Sequence, residues 1–248
     1  MTPARRRERK VLLLTGASGP IGSAFAERYG ATYDIVAVRH RRPLALATQR
    51  QSFFDPFDAT PAAKDAEPGK LFEITADLRE PSEIARVVEV ALARFGRIDV
   101  LVNAVGSFGG GARLLGSGLE HVTDLFKLNA VVPTAVAVRV ALDFWRHHDL
   151  DNAARNRVVV NLSASAAVDS ADRTFGRTFG ATKAALNMLS LHLADELRPF
   201  NVRVVTVAPS PVPDVVTIER LVGVVGALIE GDQNGKVLLM WDDEDELV

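Results

Sequence analysis

The chain has 248 residues, of which 48% are hydrophobic, and a net charge of -2. This length and composition suffice for one substantial core and exclude a disordered, collagen-like or disulfide-scaffold protein. The balanced charge gives no general attraction to nucleic acid or to an anionic membrane. Because there is no cysteine, thiolate metal sites, disulfides and cysteine nucleophiles are excluded, and no metal site is predicted.

The N-terminal stretch from Arg5 to Lys10 is the one strong block of charge, and it leads directly into the apolar run Val11 to Leu14. That run is too short for a signal peptide or a membrane span. We therefore interpret residues 1–10 as a solvated basic tail and residues 11–248 as one domain. The expected localisation is cytoplasmic, with no membrane partner.

Short apolar runs along the chain predict strands, and helical periods lie between them. The clearest helical period begins at Pro81 and ends before Gly96, with its apolar residues on one face. Near-continuous apolar strands are typical of a parallel sheet that is covered on both sides. The pattern predicts an α/β fold: a Rossmann-type, doubly wound parallel sheet of about seven strands. The predicted strands are Val11 to Leu14, Ile35 to Val38, Leu71 to Thr75, Val100 to Val102, Val158 to Leu162, Val202 to Val207 and Val237 to Met240.

Two stretches depart from this alternation. Residues 41–70 carry most of the early prolines and three phenylalanines, and we interpret them as an insertion between the second and third strands. Residues 209–235 contain one predicted helix, from Ile218 to Ile229.

A glycine-rich turn, from Thr15 to Gly22, follows the first predicted strand and precedes a predicted helix. Glycines let a backbone approach a pyrophosphate, whose charge is held by N–H groups at the helix N-terminus. Far along the chain, the segment from Thr178 to Lys183 follows an apolar strand and the turn Ser163-Ala164-Ser165. Together these segments resemble the short-chain dehydrogenase/reductase family, in which a Tyr-x-x-x-Lys helix carries the proton of a carbonyl reduction.

The resemblance implies a nicotinamide dinucleotide in the crevice beside the glycine turn. It implies adenine contacts after the third strand and a Pro-Gly-like step, here Pro209-Ser210, over the nicotinamide. Asn103 either contacts the cofactor or locks neighbouring strand ends. Pro20 replaces a family glycine at the first turn of the helix, where a missing N–H is tolerated. The expected cofactor-binding residues are Thr15, Gly16, Ser18, Gly19, Ile21, Gly22, Asp77, Leu78, Asn103, Gly106, Lys183 and Pro209.

The end of the second strand predicts which dinucleotide binds. Folds that prefer NAD place an acidic residue there for the ribose 2'-hydroxyl, whereas a cation accommodates the 2'-phosphate of NADP. Arg39 occupies this position, and Arg41 or Arg42 follows as a second phosphate ligand. We therefore expect NADP(H).

The chemical centre departs from the family at its proton donor. Phe179 stands where the family has tyrosine, and the chain has two tyrosines, Tyr29 and Tyr33, both in the first βαβ unit. Lys183 is retained and would hold the nicotinamide ribose. The family serine aligns with Ala164.

Two further polar positions complete the expected catalytic set. Ser163 and Ser165 flank Ala164, and either is a candidate for the missing serine. Asn129, in an otherwise apolar helix, would be costly to bury without partners. In the family the matching asparagine organises a water near the lysine, so a polar network is expected around it.

Three functions remain open. The first is an NADPH-dependent reduction of a ketone or a conjugated, quinone-like carbonyl, with the proton coming from a relayed water or a nearby hydroxyl. The second is a non-catalytic, NADP-binding or structural subunit of an assembly. The third is a cyclase, dehydratase or isomerase that uses Asp169, Asp172 or His192.

The resemblance also bears on partners. Family members pair through two long helices, which here would span residues 122–144 and 175–198. We expect a homo-oligomer, dimer or tetramer, with a hetero-oligomer as the alternative. The family's substrate lobe is shortened here to residues 209–235, so we expect the pocket around a small-molecule substrate either to be open or to be completed by a partner chain.

Overall fold

The structure is a computed structural model that describes residues 9–44, 71–109, 118–168, 177–212, 216–241 and 245–247. Most of the predicted insertion, residues 45–70, lies outside the described residues, as do Asp169 and Asp172.

Within the described residues, one sheet of eight strands forms the centre of the fold. The strands are β1 Val11–Thr15, β2 Asp34–Arg39, β3 Leu71–Thr75, β4 Val100–Asn103, β5 Val158–Leu162, β6 Arg203–Pro209, β7 Lys236–Met240 and β8 Asp245–Leu247. Their order across the sheet is β3-β2-β1-β4-β5-β6-β7-β8. The first seven strands run parallel to their neighbours, and the predicted doubly wound parallel sheet is confirmed.

The eighth strand was not predicted. It is short, exposed along its length and pairs antiparallel with β7. Its Asp-Glu-Leu sequence has no apolar run, because a solvated edge strand needs none.

Helices cover both faces of the sheet. They are α1 Pro20–Tyr29, α2 Pro81–Phe95, α3 Gly118–Phe126, α4 Val132–Asp143, α5 Asp149–Arg155, α6 Arg177–Leu197 and α7 Ile218–Glu230. A π-helical turn, Lys127–Val131, joins α3 to α4. The helix predicted from Pro81 is confirmed as α2, and it ends at Gly96 in the left-handed conformation, with φ of 72°, which glycine adopts without strain.

Two apolar layers form because strand side chains alternate between the faces of the sheet. Leu13 of β1 and Val36 of β2 pack on one side with α2 and α4 residues such as Val87 and Val136. Leu12 and Leu14 pack on the other side, with residues of α1 and α7. Helices cover the sheet on both sides, so side chains on both faces of a central strand are buried. This explains why the sequences of these strands are continuous apolar runs.

The run Gly118–His147 is the one described helical stretch that is long and apolar enough, by length and composition, to cross a membrane. Half of its apolar window is buried inside the protein. Its α4 part packs on α2 and α6, as the core helix of a layered fold does.

From β1 the chain builds the sheet outwards through β2 and β3 on one side, and from β4 it continues through β5 and β6 on the other side. The strand order therefore reverses between β1 and β4. In an open α/β sheet the crevice beyond the carboxyl ends of the strands at this reversal is the usual ligand site. The loops after β1 and β4, and the start of α6, all meet there.

Candidate cofactor and active site

Two connected hollows form the crevice at the carboxyl ends of the strands. The polar hollow, of about 420 Å³, lies beyond β1, β2 and β3 and is lined by Arg39, Asp77 and Leu78 among others. The apolar hollow, of about 230 Å³, lies between the β4 loop and α6 and is lined by Phe179 and Lys183 among others. Gly19, Ala104, Val105 and Gly106 line both hollows. A single elongated ligand can therefore occupy both.

The glycine turn is tightly packed against the β4 loop. Gly16 has φ of +67°, and a Cβ there would lie 2.6 Å from the backbone oxygen of Ala104. A Cβ on Gly22 would lie 2.4 Å from the backbone oxygen of Gly16. Both positions therefore require glycine. Gly16 and Ser18 line the polar hollow, and Ile21 and Gly22 line the apolar one, so the turn separates the two.

Buried polar side chains connect the strand ends below the crevice. Thr15 Oγ1 donates to Asn103 Oδ1 at 3.1 Å. Asn103 Nδ2 donates to Asn161 Oδ1 at 2.9 Å and to the Pro133 backbone oxygen at 3.1 Å. Thr15 and Asn103 line neither hollow. Asn103 thus has the strand-locking role that was one of its two predicted roles.

Arginines dominate the predicted 2'-phosphate position. Arg39, Arg41, Arg42 and Arg79 line the polar hollow together with His40. The Arg39 guanidinium already has two partners within the protein. Its Nε donates to Glu73 Oε1, and its Nη1 donates to the His40 backbone oxygen at 3.0 Å. Glu73 was missed in the sequence, since it lies within a strand and meets Arg39 across the sheet.

Asp77 is held by its neighbour Arg79. Two guanidinium N–H groups of Arg79 donate to the two carboxylate oxygens, at 2.9 and 2.7 Å. These hydrogen bonds lower the pKa of Asp77 to about 2. Asp77 is therefore ionised at neutral pH and acts at the crevice only as an acceptor. Its contact with adenine stays a prediction, as does that of Leu78.

Asn129 lies in the π-helical turn and is fully buried. Its Oδ1 accepts from the Ser107 backbone N–H at 2.8 Å, and its Nδ2 donates to the Ser107 backbone oxygen at 2.9 Å. The second Nδ2 hydrogen goes to Thr182 Oγ1 at 3.0 Å. The predicted polar network around Asn129 is present, and it fixes the β4 loop to α6.

Lys183 reaches the floor of the apolar hollow. Its Nζ donates to the Leu162 backbone oxygen at 2.8 Å, and burial lowers its pKa to about 8. A Cβ on Gly106 would lie 3.5 Å from Nζ and 3.2 Å from Asn129 Oδ1. Gly106 therefore leaves the space through which the ammonium faces the hollow.

Phe179 forms one wall of the apolar hollow. Its ring centroid lies 5.0 Å from that of Phe108 and 5.7 Å from Lys183 Nζ. The second distance is within cation–π range. Phe108, Val212 and Ile218 also line the hollow and were missed, because nothing in a loop residue's local sequence indicates which cavity it lines.

The two candidate serines lie in different environments. Ser163 lines the apolar hollow, and its Oγ donates to the Lys183 backbone oxygen at 3.3 Å. Ser165 is buried at the start of a 3-10 turn and lines neither hollow. Of the pair, Ser163 is the one that a ligand in the hollow can meet.

Several other candidates lie away from the crevice. Pro209 ends β6 beside Met240 and lines neither hollow. Tyr33 donates to Glu230 at 2.9 Å, and His192 is exposed on α6. Neither Tyr33 nor His192 can serve as an acid in the hollows. Among the described residues no group of three or more His, Asp or Glu side chains is placed to hold a metal ion.

A doubly wound parallel sheet with a glycine turn at its reversal point defines a dinucleotide-binding α/β protein. A family profile described as short chain dehydrogenase matches residues 10–219. The chain belongs to the short-chain dehydrogenase/reductase family, whose members are oxidoreductases.

Two relatives illustrate the similarity in sequence. An uncharacterized oxidoreductase of Methylorubrum extorquens is 30% identical over 202 residues, covering 82% of this chain and 73% of that protein. A peroxisomal 2,4-dienoyl-CoA reductase of Pongo abelii is 28% identical over 218 residues, covering 86% of this chain and 66% of that protein.

Solved structures show the same fold. A metagenomic short-chain oxidoreductase in complex with NADP has a TM-score of 0.71 at 25% identity, covering 90% of this chain and 91% of that one. An NADH-dependent reductase complexed with NAD has a TM-score of 0.73 at 20% identity, covering 95% and 96% of the two chains. The neighbours thus hold either dinucleotide, which supports a nicotinamide cofactor here.

Proposed function

We propose that this protein is an NADP(H)-dependent oxidoreductase that reduces a ketone, and preferentially a conjugated or quinone-like carbonyl compound. The observation that carries the proposal is a buried ammonium, Lys183, in an apolar hollow where Phe179 replaces the family's acidic hydroxyl. When bound, the cofactor supplies a hydride and is oxidised by two electrons. The protein's own residues bind the cofactor, orient the substrate and control the transfer of the proton.

The residues that line the crevice fit a dinucleotide. The first amides of α1 belong to the unpaired donors of a helix N-terminus, which suit a pyrophosphate. Gly16 and Gly19 bring backbone to this point without a side chain, and Ser18 lies between them. Gly106 and Lys183 offer an open floor and a cation for the ribose at the other end.

The preference for NADP(H) follows from the charges of the polar hollow. Among the residues that the structure describes, Arg39, Arg41, Arg42 and Arg79 outnumber the acidic groups Asp77 and Glu73 there. A 2'-phosphate would be attracted to this surplus of positive charge, whereas the 2'-hydroxyl of NAD gains nothing from it. Arg41 and Arg42 are both exposed and line the hollow, so both are placed to bind the phosphate.

The substrate class follows from the missing acid. A general acid contributes about 10²- to 10⁴-fold in rate, and its absence matters least when the anion left on the substrate is already stabilised. In a conjugated substrate the negative charge of this anion is delocalised over several atoms, which stabilises it. A 2,4-dienoyl thioester, the substrate class named by one of the relatives, is a conjugated carbonyl compound of this kind.

Binding measurements test the cofactor. Calorimetry with NADPH and NADH is expected to show tighter binding of NADPH. The variant Arg41→Ser is expected to weaken NADPH binding by about tenfold, since one charge-assisted hydrogen bond is lost, and to leave NADH unchanged. Arg146→Ser, an exposed arginine remote from the crevice, is the control. Equal affinity of the wild type for both cofactors would refute the preference.

Turnover measurements test the reaction. NADPH oxidation is followed at saturating cofactor with simple ketones, conjugated enones, quinones and dienoyl thioesters. Turnover that favours the conjugated compounds supports the proposal. Tight binding of NADPH without turnover of any compound would favour the non-catalytic subunit instead, a function consistent with the simultaneous presence of Phe179 and Ala164 at the two catalytic positions.

We further propose that the protein is a homo-oligomer that pairs through α4 and α6. Val138 and Leu142 of α4 and Met188 and Leu189 of α6 are exposed apolar side chains. Family members pair through the matching helices. We also propose that the substrate pocket beside the shortened lobe of residues 209–235 is either open or completed by a partner chain. The cytoplasm, where NADPH is available, is the proposed localisation.

A further inference from the structure

The apolar hollow contains a single titratable side chain among the residues that the structure describes, and that side chain is Lys183. The other polar side chains that line it are the hydroxyls of Ser107 and Ser163, and the remaining lining residues are glycines and apolar groups such as Val105 and Leu162. A proton delivered inside this hollow therefore has one ionisable source within the described part of the chain.

The hydrogen bonds of Lys183 leave it able to donate. An ammonium has three N–H groups, and one of them is used by the Leu162 backbone oxygen, at 2.8 Å. No other protein acceptor meets Nζ within the described residues. Two N–H groups therefore remain for ligands in the hollow, enough to hold a cofactor hydroxyl with one and a substrate oxygen with the other.

Within the described parts of the chain, the groups that face Lys183 are uncharged. They are the Leu162 carbonyl from β5, Gly106 from the β4 loop, the Asn129 amide from the π-helical turn and the Phe179 ring from α6. Burial is the single cause that lowers its pKa to about 8. At neutral pH Lys183 is thus an ammonium, but one that gives up its proton far more readily than an exposed lysine does.

The polar side chains of Asn129, Thr182 and Ser163 already donate their hydrogens within the protein. Both hydrogens of the Asn129 amide are donated, one to the Ser107 backbone oxygen and one to Thr182 Oγ1. Thr182 Oγ1 itself donates to the Phe179 backbone oxygen, and Ser163 Oγ donates to the Lys183 backbone oxygen. A relay through these groups would first have to break an existing hydrogen bond.

We propose that Lys183 is itself the proton donor of the reaction, in the place of the missing tyrosine. This inference rests on the proposed function. After the substrate has received a hydride, an electron pair rests on its oxygen. An N–H bond of Lys183 breaks as an O–H bond forms, the substrate is fully reduced by two electrons and two hydrogens, and the neutral amine regains a proton from water. Phe179 would keep the amine in a dry, uncharged environment.

The first experiment is a pH profile of the single-turnover rate at saturating NADPH, from pH 6.5 to 9.5, with a conjugated substrate. The wild-type rate is expected to be constant at low pH and to fall about tenfold per unit above pH 8, since the acid must be protonated to act. Lys183→Arg keeps a cation but never releases a proton near neutral pH. It is expected to bind NADPH within a few-fold of the wild type, to react about 10²- to 10⁴-fold more slowly and to show no fall above pH 8. Lys236→Arg, at an exposed position of β7, is the control.

The second experiment needs no turnover. Lysine labelled with ¹³C at Cε is observed by NMR in the protein without ligand, and the resonance absent from Lys183→Arg is assigned to Lys183. Its chemical shift is expected to titrate with a midpoint near pH 8. A midpoint above 10 would overturn the proposal, because the ammonium would then be no better a donor than any surface lysine.

The outcomes separate this inference from the function on which it rests. A wild-type rate that is independent of pH, or a Lys183→Arg variant as fast as the wild type, overturns the role of Lys183 and leaves the reductase intact. Failure of the wild type to oxidise NADPH with every substrate, although NADPH binds and the NMR midpoint is near pH 8, overturns the proposed reaction and with it the catalytic role.

Discussion

Burying a lysine without a counter-ion has a thermodynamic cost that can be measured in the folded protein without ligand. The pKa of Lys183 is lowered from 10.5 to about 8 by burial. Each unit of pKa corresponds to about 1.4 kcal/mol, so the folded state loses about 3 kcal/mol by holding this ammonium at pH 7. The variant Lys183→Met has a similar apolar stem and no charge. It gives up the hydrogen bond to the Leu162 oxygen, which costs about 1–3 kcal/mol, so at pH 7 its net change is a small gain.

The pH dependence isolates the charge from these other effects. The unfolded chain keeps the lysine proton up to about pH 10.5, whereas the folded chain releases it near pH 8, so the unfolded state binds more protons in between and stability rises with pH there. Between pH 7 and 9.5 the wild type is therefore expected to gain about 2 kcal/mol relative to Lys183→Met. All other titrating groups are common to both proteins and cancel in this difference.

Urea denaturation of both proteins at pH 7 and at pH 9.5 measures the four free energies of unfolding. Lys236→Met, at an exposed position, is the matched control and is expected to show no such change relative to the wild type. If the stability difference between wild type and Lys183→Met is the same at both pH values, the lysine is hydrated in the folded state, and its inferred acidity is refuted.

Three further predictions follow from particular contacts. Phe179→Tyr is expected to raise the kcat of NADPH oxidation by about tenfold or more, because it adds a hydroxyl acid beside Lys183; no gain in a kinetic assay would mean that the substrate binds elsewhere or that the hollow has been rebuilt. Asp99→Asn is expected to lower the free energy of unfolding by about 3 kcal/mol in urea denaturation at pH 7, because both Asp99 and its partner Arg157 are fully buried; a loss below about 1 kcal/mol would mean that Asn152 and Asp151 already satisfy the arginine. Leu142→Glu, at a half-exposed position of α4, is expected to shift the protein to a smaller species in light scattering after gel filtration, and an unchanged mass would place the interface on another face.

The central strands β1, β4 and β5 could be predicted from the sequence because they are buried on both faces. The run Val158 to Leu162 and the runs of the adjacent strands β4 and β6 have no solvent-facing side. The bounds of each predicted apolar run therefore agree with those of the observed strand to within one or two residues. The same reasoning could not find β8, whose residues are solvated on both sides and carry no apolar pattern. α2 and α7 were predictable from their spacing and from the residues at their ends, such as Gly96.

Some residues of the candidate site could be predicted from the local sequence, and others could not. Positions with a backbone requirement, such as Gly16 and Gly22, were predictable because a close approach of one backbone segment to another excludes every residue that has a Cβ. Partners that meet only in three dimensions were not predictable. Glu73 reaches Arg39 from the neighbouring strand, and Phe108 reaches Phe179 from a loop that lies much earlier in the chain. Neither has a local pattern that indicates its partner.

The exchange of a tyrosine for Phe179 changes what the neighbouring lysine can do. Beside a tyrosine, an ammonium is useful as a fixed charge, because it lowers the pKa of the phenol and leaves the proton transfer to it. Beside Phe179 the described residues of the hollow offer no second acid to assist, and the ring contributes a dry, weakly attractive surface 5.7 Å from Nζ. The same burial that makes Lys183 costly to fold then becomes the property that makes it a competent donor near neutral pH. A substitution that removes one acid from the hollow therefore leaves the lysine as the group whose proton is easiest to release, and the two residues have to be interpreted together.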